Sequence, residues 1–334
     1  MADYIPRPGD YDLSLPAPYH QKGANVRVYV LAAQYSALKA TVDRYLNAAA
    51  PAGLSYQPLG NRVAATFMSI KEIRCAIEAL GSMHEVDCAF FIPLIRWQSG
   101  LPSGVAFFPL DLFVNNSWAM ATGREVHGFR KDLGVSFSSL DVNDELVWSH
   151  QAKDLTHIDT WTIDPRDAAS RLKVRRIVEL TGPATAGSTA WSVGGFVDTV
   201  LALMGDLGPL GAALAQLPVP PGYGSWLELV AEKIVEALSG LGLGGAPAVR
   251  LPIVFLRQFR DPRNSQKADL QEVLEAEMEI PLSSIGGQLL TGSYVLHFYD
   301  TASHPLALEL GVSAAEPSTF SVQANLDFRL LHAV

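Results

Sequence analysis

The chain has 334 residues, 49% hydrophobic and 18% charged, with a formal net charge of −9 and a pI near 5.4. So much apolar side chain can fill a sizeable core, which excludes global disorder. The acidic balance, without a basic stripe carrying interleaved aromatics, argues against nucleic acid or an anionic membrane as partner; Arg171, Lys173, Arg175 and Arg176 read as one solvated strand face.

Pro6, Pro8, Pro16 and Pro18 make the first 20 residues an extended arm, with no basic-then-apolar leader. Residues 26–32 read as a strand. Residues 36–48 read as a helix, with Leu38, Val42, Tyr45 and Leu46 at the spacing of one buried face. From 62 to about 141, strand-like runs alternate with Gly and Pro breaks, most clearly at 63–70, 88–97, 105–108 and 118–129. Residues 70–80 fit either state, since Ile73, Ile77 and Leu80 also share a helical face. The runs 145–151, 156–163 and 172–180 continue the β pattern, so a mainly antiparallel sheet system is expected.

Between 182 and 247 Gly, Ala and Leu dominate, and two helices are expected. The second opens on a capping box, Ser225 with Glu228. It carries Leu227, Val230, Ile234 and Leu238 as its apolar stripe and ends in the Gly-rich run 240–245. That run follows a helix instead of preceding one, which argues against a dinucleotide loop. The most apolar stretch, 193–217, contains Asp198, Asp206 and Pro209. It falls short of the ~20 uninterrupted apolar residues that span a bilayer. Strands return at 251–259, 270–280, 294–299 and 320–330. The expected organisation is one domain over 1–334, mainly β (α+β), with a helical insertion at 182–247.

Motifs for other chemistries are missing. Cys75 and Cys88 are too few for a disulfide scaffold and suit a reducing, cytoplasmic setting. His150 and His157 have no third ligand at useful spacing, so no metal is expected. There is no Gly-x-Ser-x-Gly elbow, P-loop or Cys-x-x-Cys pair.

What remains is the run Gly123-Arg124-Glu125-Val126-His127-Gly128-Phe129-Arg130-Lys131-Asp132-Leu133-Gly134. It resembles the signature segment of the acetoacetate decarboxylase family, where a Gly-Arg-Glu strand leads through an aromatic and a Pro to a Lys-Lys pair. Lys131 falls on the first, imine-forming Lys; Arg130 replaces the Pro and Asp132 the second Lys. Asp87, six positions before Pro93, stands where the family has an acid, usually Glu. A second family acid finds only Thr66, and the family's N-terminal Arg has no match near Ala24. The likeness covers roughly residues 16–180 and 248–330. It implies an antiparallel β-cone or barrel whose cavity holds the amine, and no cofactor.

An amine attacks a carbonyl only when unprotonated, whereas an ordinary lysine has a pKa of about 10.4. Burial in an apolar cavity or a neighbouring cation favours the neutral form. In a strand, Glu125, His127, Phe129 and Lys131 share a face, with His127 roughly 13 Å from Lys131. Lys131 and Asp87 are therefore the expected catalytic pair, Asp87 moving a proton or orienting the substrate. Phe129 is expected to keep the amine dry, His127 to meet a long substrate, and Arg130 to bind a carboxylate. Glu125 faces the substrate on this reading, or else pairs with Arg124. The expected activity is a Schiff-base lyase, most simply decarboxylating a 3-oxo acid larger or more apolar than acetoacetate. The nearest alternative is an aldolase-dehydratase; beyond it lie a non-catalytic binder of an apolar ligand and a structural oligomer subunit. The expected partners are a small oxo acid and further copies of the chain, with the insertion serving as lid or interface.

Overall fold

The computed structural model describes residues 14–77, 81–134, 155–183, 187–191, 207–214 and 248–333, with positions 219, 225, 228–230 and 232 between them. The first part of the chain forms β1 (Tyr19–Ala32), then α1 (Tyr35–Val42), which runs on into one turn of π-helix at Asp43–Asn47. β2 (Leu54–Pro58), β3 (Arg62–Cys75), β4 (Ser82–Gln98) and β5 (Leu101–Val114) follow. Next come α2 (Ser117–Thr122), a second π turn at Gly123–His127, and the short β6 (Lys131–Leu133). β7 (His157–Thr162), β8 (Lys173–Thr181), β9 (Gly187–Trp191) and α3 (Gly208–Leu214) lead to β10 (Ala248–Asp261) and β11 (Asn264–Pro281). β12 (Gly286–Thr291), β13 (Val295–Phe298), α4 (Leu306–Leu310) and β14 (Ala315–Leu330) complete the chain.

Seven strands close on themselves in the order β1–β3–β4–β5–β10–β11–β14, with β14 pairing back onto β1. The neighbours are antiparallel except at the β5–β10 seam, where Ile253 lies parallel to Phe107. Closure removes free strand edges around this ring. The expected mainly β barrel is the observed architecture.

Alternation along each strand separates two cores. On β4, Cys88, Phe90 and Ile92 face outward and join Tyr29, Phe67, Leu38, Val42 and Leu310, so that α1 and α4 cover the outer wall. Ala89 and Phe91 face inward with Met68, Ile70, Ile253 and Phe328. Both faces are buried, which is why residues 88–95 read as an unbroken apolar run. Each fully buried side chain such as Phe67, Phe90 or Phe113 contributes roughly 1.5–3 kcal/mol. The outer core thus stabilises the barrel, and the inner face tolerates polar groups.

Two readings are corrected. Residues 118–129 are not a strand: Asn116 caps α2 by accepting from the Ala119 amide at 2.8 Å, and a π turn follows. The segment 182–247 is not purely helical, because β9 pairs with β12. Residues 70–75, open to either reading, continue β3. Leu210 and Leu214 of α3, with Leu229 and Val230, join the inner core. The Glu228 amide donates to Ser225 Oγ at 3.1 Å, while Leu227, Ile234 and Leu238 of the expected stripe, the glycine run and the strand expected at 145–151 lie outside the described residues.

Candidate active site

The site is built from β4 and from the turn that follows α2. Period-two alternation sends Met83, Glu85, Asp87, Ala89 and Phe91 to the barrel interior. Asn115 and Asn116 fasten the α2 side to this strand. The Val86 amide donates to Asn115 Oδ1 at 3.0 Å, and Asn116 Nδ2 donates to the His84 carbonyl at 2.8 Å. Glu85 is therefore held between two clipped neighbours.

The turn itself depends on two glycines. Gly128 has φ 90°, and a Cβ there would stand 2.5 Å from the Arg257 Cα on β10. Only glycine meets both demands. The amides of Gly128 and Phe129 both donate to the Gly123 carbonyl at 3.0 Å, which folds the chain back on itself. Lys131 then lies over Gly123, where a Cβ would sit 2.6 Å from its Cδ and 2.8 Å from its Cε. β6 fixes the backbone by pairing parallel to β5, Lys131 opposite Leu112.

The Lys131 amine is enclosed, its side chain 8% exposed, and Nζ lies 2.7 Å from Glu85 Oε1 and 5.4 Å from the centre of the Phe129 ring. Asp87 is buried beside them and shares a hydrogen bond with Glu85, while its Oδ1 has no hydrogen-bond partner among the described residues. Burial first, then the negative charge of Glu85, pushes the Asp87 carboxyl well above the usual carboxylate range, more than Lys131 offsets. This favours the protonated form of Asp87. His127 is fully buried, and neither ring nitrogen has a hydrogen-bond partner among the described residues. Burial lowers its imidazole to about 4, assisted by the charges of Lys131, His332 and Arg257, so it is neutral near pH 7.

These groups line one cavity with about 70 Å³ for the centres of water-sized molecules, room for several waters at roughly 10–15 Å³ each. Its remaining wall is largely apolar, with Met68, Ile70, Met83, Met278, Phe328 and Leu330. A dry wall around an amine, an acid pair and a neutral imidazole suits carbonyl chemistry.

No family model and no curated protein sequence matches the chain. Solved structures do. The chain is similar to an acetoacetate decarboxylase from Legionella pneumophila, with a TM-score of 0.50 and 13% identity over 99% of this chain and 92% of that one. It is equally similar to an acetoacetate decarboxylase-like enzyme from Sphingomonas wittichii RW1, with a TM-score of 0.50 and 14% identity over 100% and 98%. The fold is that of acetoacetate decarboxylase. A further acetoacetate decarboxylase structure aligns at a TM-score of 0.49, with 15% identity over 99% and 94%.

Within this acetoacetate-decarboxylase-like barrel, Lys131, Asp87, His127 and Phe129 face the same cavity. Their meeting does not follow from a shared strand face, because His127 ends the π turn and the left-handed Gly128 separates it from Lys131. Two expected substrate contacts lie elsewhere. Glu125 is exposed on the π turn and does not line the cavity. Arg130 points to the outer side, where Nη2 lies 3.2 Å from Asp111 Oδ1 and the guanidinium stacks 4.3 Å from the Tyr45 ring. Asp132 also leaves the amine, its carboxyl 3.3 Å from His304 Nε2 and 3.8 Å from Arg124. Thr66 does not line the cavity; its hydroxyl donates to the Ala89 carbonyl at 3.3 Å.

The residue that sequence reasoning missed is Glu85, the direct partner of Lys131. It sits two positions before Asp87 and so shares its strand face, a signal that period two supplies. Among the described residues no helix is long and apolar enough to cross a membrane.

Proposed function

We propose that this protein is a cofactor-independent carbon–carbon lyase that forms an imine between Lys131 and a 3-oxo acid whose chain is larger or more apolar than that of acetoacetate. The observation that carries this reading is the enclosed amine of Lys131, 2.7 Å from Glu85 and walled by apolar side chains. Transfer of the ammonium proton to Glu85 turns a buried ion pair into two neutral groups and frees the nitrogen lone pair, a step that a low-dielectric site favours. The amine adds to the substrate carbonyl carbon. Glu85 returns the proton it took to the carbinolamine hydroxyl, which expels water and leaves the iminium beside an ionised Glu85.

The iminium withdraws the electrons of the adjacent C–C bond, and the substrate carboxylate departs as CO2. The resulting enamine takes a proton on carbon, from Asp87 in this reading, and water hydrolyses the imine to release the ketone and the amine. Lys131 is the sole cation among the cavity-lining residues described. A substrate carboxylate beside ionised Glu85 is repelled, which favours its loss as a neutral gas.

The test is reductive trapping. Incubation with 3-oxo acids of increasing chain length and borohydride should add the mass of the reduced adduct to the peptide containing Lys131, with CO2 evolved when borohydride is left out. An adduct without CO2 points to aldol and dehydration chemistry through the same imine. An unmodified Lys131 in a protein that still binds apolar ligands reduces the chain to a binding protein.

A further inference from the structure

His127 is enclosed by rings. Tyr19 and Phe255 stand 5.6 Å from it, and Phe129 stands 6.0 Å away. A phenylalanine would fill this position without stranding any polar atom. The imidazole instead brings one donor and one acceptor into a fully buried place and leaves both without a partner. Buried polar atoms in folded proteins are almost always satisfied, and the open side of this ring is the cavity that it lines. Two other polar groups of the wall are already engaged: the Tyr19 hydroxyl donates to the Leu15 carbonyl at 2.7 Å, and Thr122 Oγ1 accepts from the Leu15 amide at 3.1 Å.

We propose that His127 determines specificity by hydrogen-bonding an uncharged oxygen function, a hydroxyl or a carbonyl, carried by the substrate beyond the carbonyl that Lys131 attacks. This inference rests on the imine reading for the position of the reacting carbon. Phe129 sets the span: its ring centre is 5.4 Å from Lys131 Nζ and 6.0 Å from the His127 ring. A chain of a few carbons crossing the face of Phe129 reaches both groups. A neutral imidazole offers no charge to a second carboxylate, so the recognised group is uncharged. The preferred substrate class is therefore an apolar carbonyl compound with a remote hydroxyl or keto oxygen.

Three probes of one chain length separate the possibilities: heptan-2-one, 6-hydroxyheptan-2-one and heptane-2,6-dione. Their rates of borohydride trapping at Lys131 are compared by mass spectrometry. The wild-type protein should trap at least one oxygenated probe about tenfold faster than heptan-2-one, the gain expected of one buried hydrogen bond, and which of the two is favoured identifies hydroxyl or carbonyl. In His127→Phe that ratio should fall to about one, and in His127→Asn, which keeps a donor and an acceptor, part of it should survive. Equal trapping of all probes by the wild type, or an unchanged ratio in His127→Phe, overturns the proposal and leaves the imidazole served by cavity water. Should no probe be trapped at all, the imine reading fails separately. Calorimetric affinities of Lys131→Met for the same probes, with and without His127→Phe, then decide the His127 contact by itself.

Discussion

Arg130 and Lys131 are neighbours in the chain, yet each anchors its own buried charge cluster on opposite sides of the barrel wall. The two clusters have the same inventory, two carboxyls around one cation: Asp111 and Glu309 about Arg130, Glu85 and Asp87 about Lys131. Outside, the charged groups face one another, although Arg130 Nη1 and Glu309 Oε2, 3.6 Å apart, form no hydrogen bond among the described residues. The Tyr45 hydroxyl donates to Glu309 Oε1 at 2.5 Å, Thr41 donates to the Glu309 carbonyl at 2.7 Å, and Arg44 approaches Glu309 at 3.6 Å. Inside, Asp87 Oδ1 and both nitrogens of His127 are left over. A charge cluster whose spare atoms face each other acts as a strut; one whose spare atoms line a cavity is equipped to meet a ligand.

Substitutions that separate these roles test the contrast. Lys131→Met should lower turnover on the order of 10³-fold or more, as expected for loss of a covalent nucleophile, and should abolish borohydride trapping. An adduct that persists elsewhere on the chain would move the reaction away from the cavity. Glu85→Gln keeps the shape of its side chain but removes the proton acceptor, and a loss of roughly 10²-fold or more in trapping rate is expected.

Gly123→Ala sharpens the comparison further. Its added methyl meets the flexible end of Lys131 at 2.6 Å, so the side chain moves while the backbone keeps its course. Trapping should slow by about 10–100-fold for a displacement near 1 Å, with a stability loss of about 1 kcal/mol by urea unfolding. Arg130→Met should do the reverse. It leaves Asp111 and Glu309 without their shared partner, at a cost of roughly 2–4 kcal/mol after discounting for its partial exposure, and trapping per folded molecule should hardly change.

The smallest effect is in pH dependence. Burial first, with Glu309 and Asp132 adding their negative charge, pushes the Asp111 carboxyl up to about 7, more than Arg130 and His304 offset. In the unfolded chain it titrates near the ordinary value of about 3.9. Between those values the folded state holds the extra proton, so stability from this group is full below the unfolded value and is lost as pH rises towards 7. Urea midpoints measured from pH 4 to 7 should fall for the wild type and fall less for Asp111→Asn; equal slopes would place the titration elsewhere.

The readability of the sequence followed the range of the forces involved. The strands of the barrel wall were legible because alternation and β-branched or aromatic runs are local signals. The segment 118–129 misled because Trp118, Val126 and Phe129 favour strands, while a six-residue helix is too short to display a period. Asn116, a strong cap placed three residues before Ala119, was the available sign. Lys131 and Asp87 stood out through a run and a spacing. Glu85 did not, because it precedes the apolar stretch from which the start of β4 was judged, although its face was fixed by Asp87. The opposite courses of Arg130 and Lys131 follow from alternation at the start of β6; what no local pattern encodes is the close approach of Gly128 to Arg257.

The pairing of β14 with β1 has a consequence for the order of events during synthesis. Tyr19 aligns with Leu330, and both line the cavity, so the chamber gains its last wall only when the final strand arrives. Until β14 pairs, the cavity lacks the wall that Phe328 and Leu330 supply. Contacts between sequence-distant strands of this kind set folding on the scale of roughly milliseconds to seconds. In a refolding experiment, borohydride trapping should lag behind the gain of β signal by the time the ring takes to close.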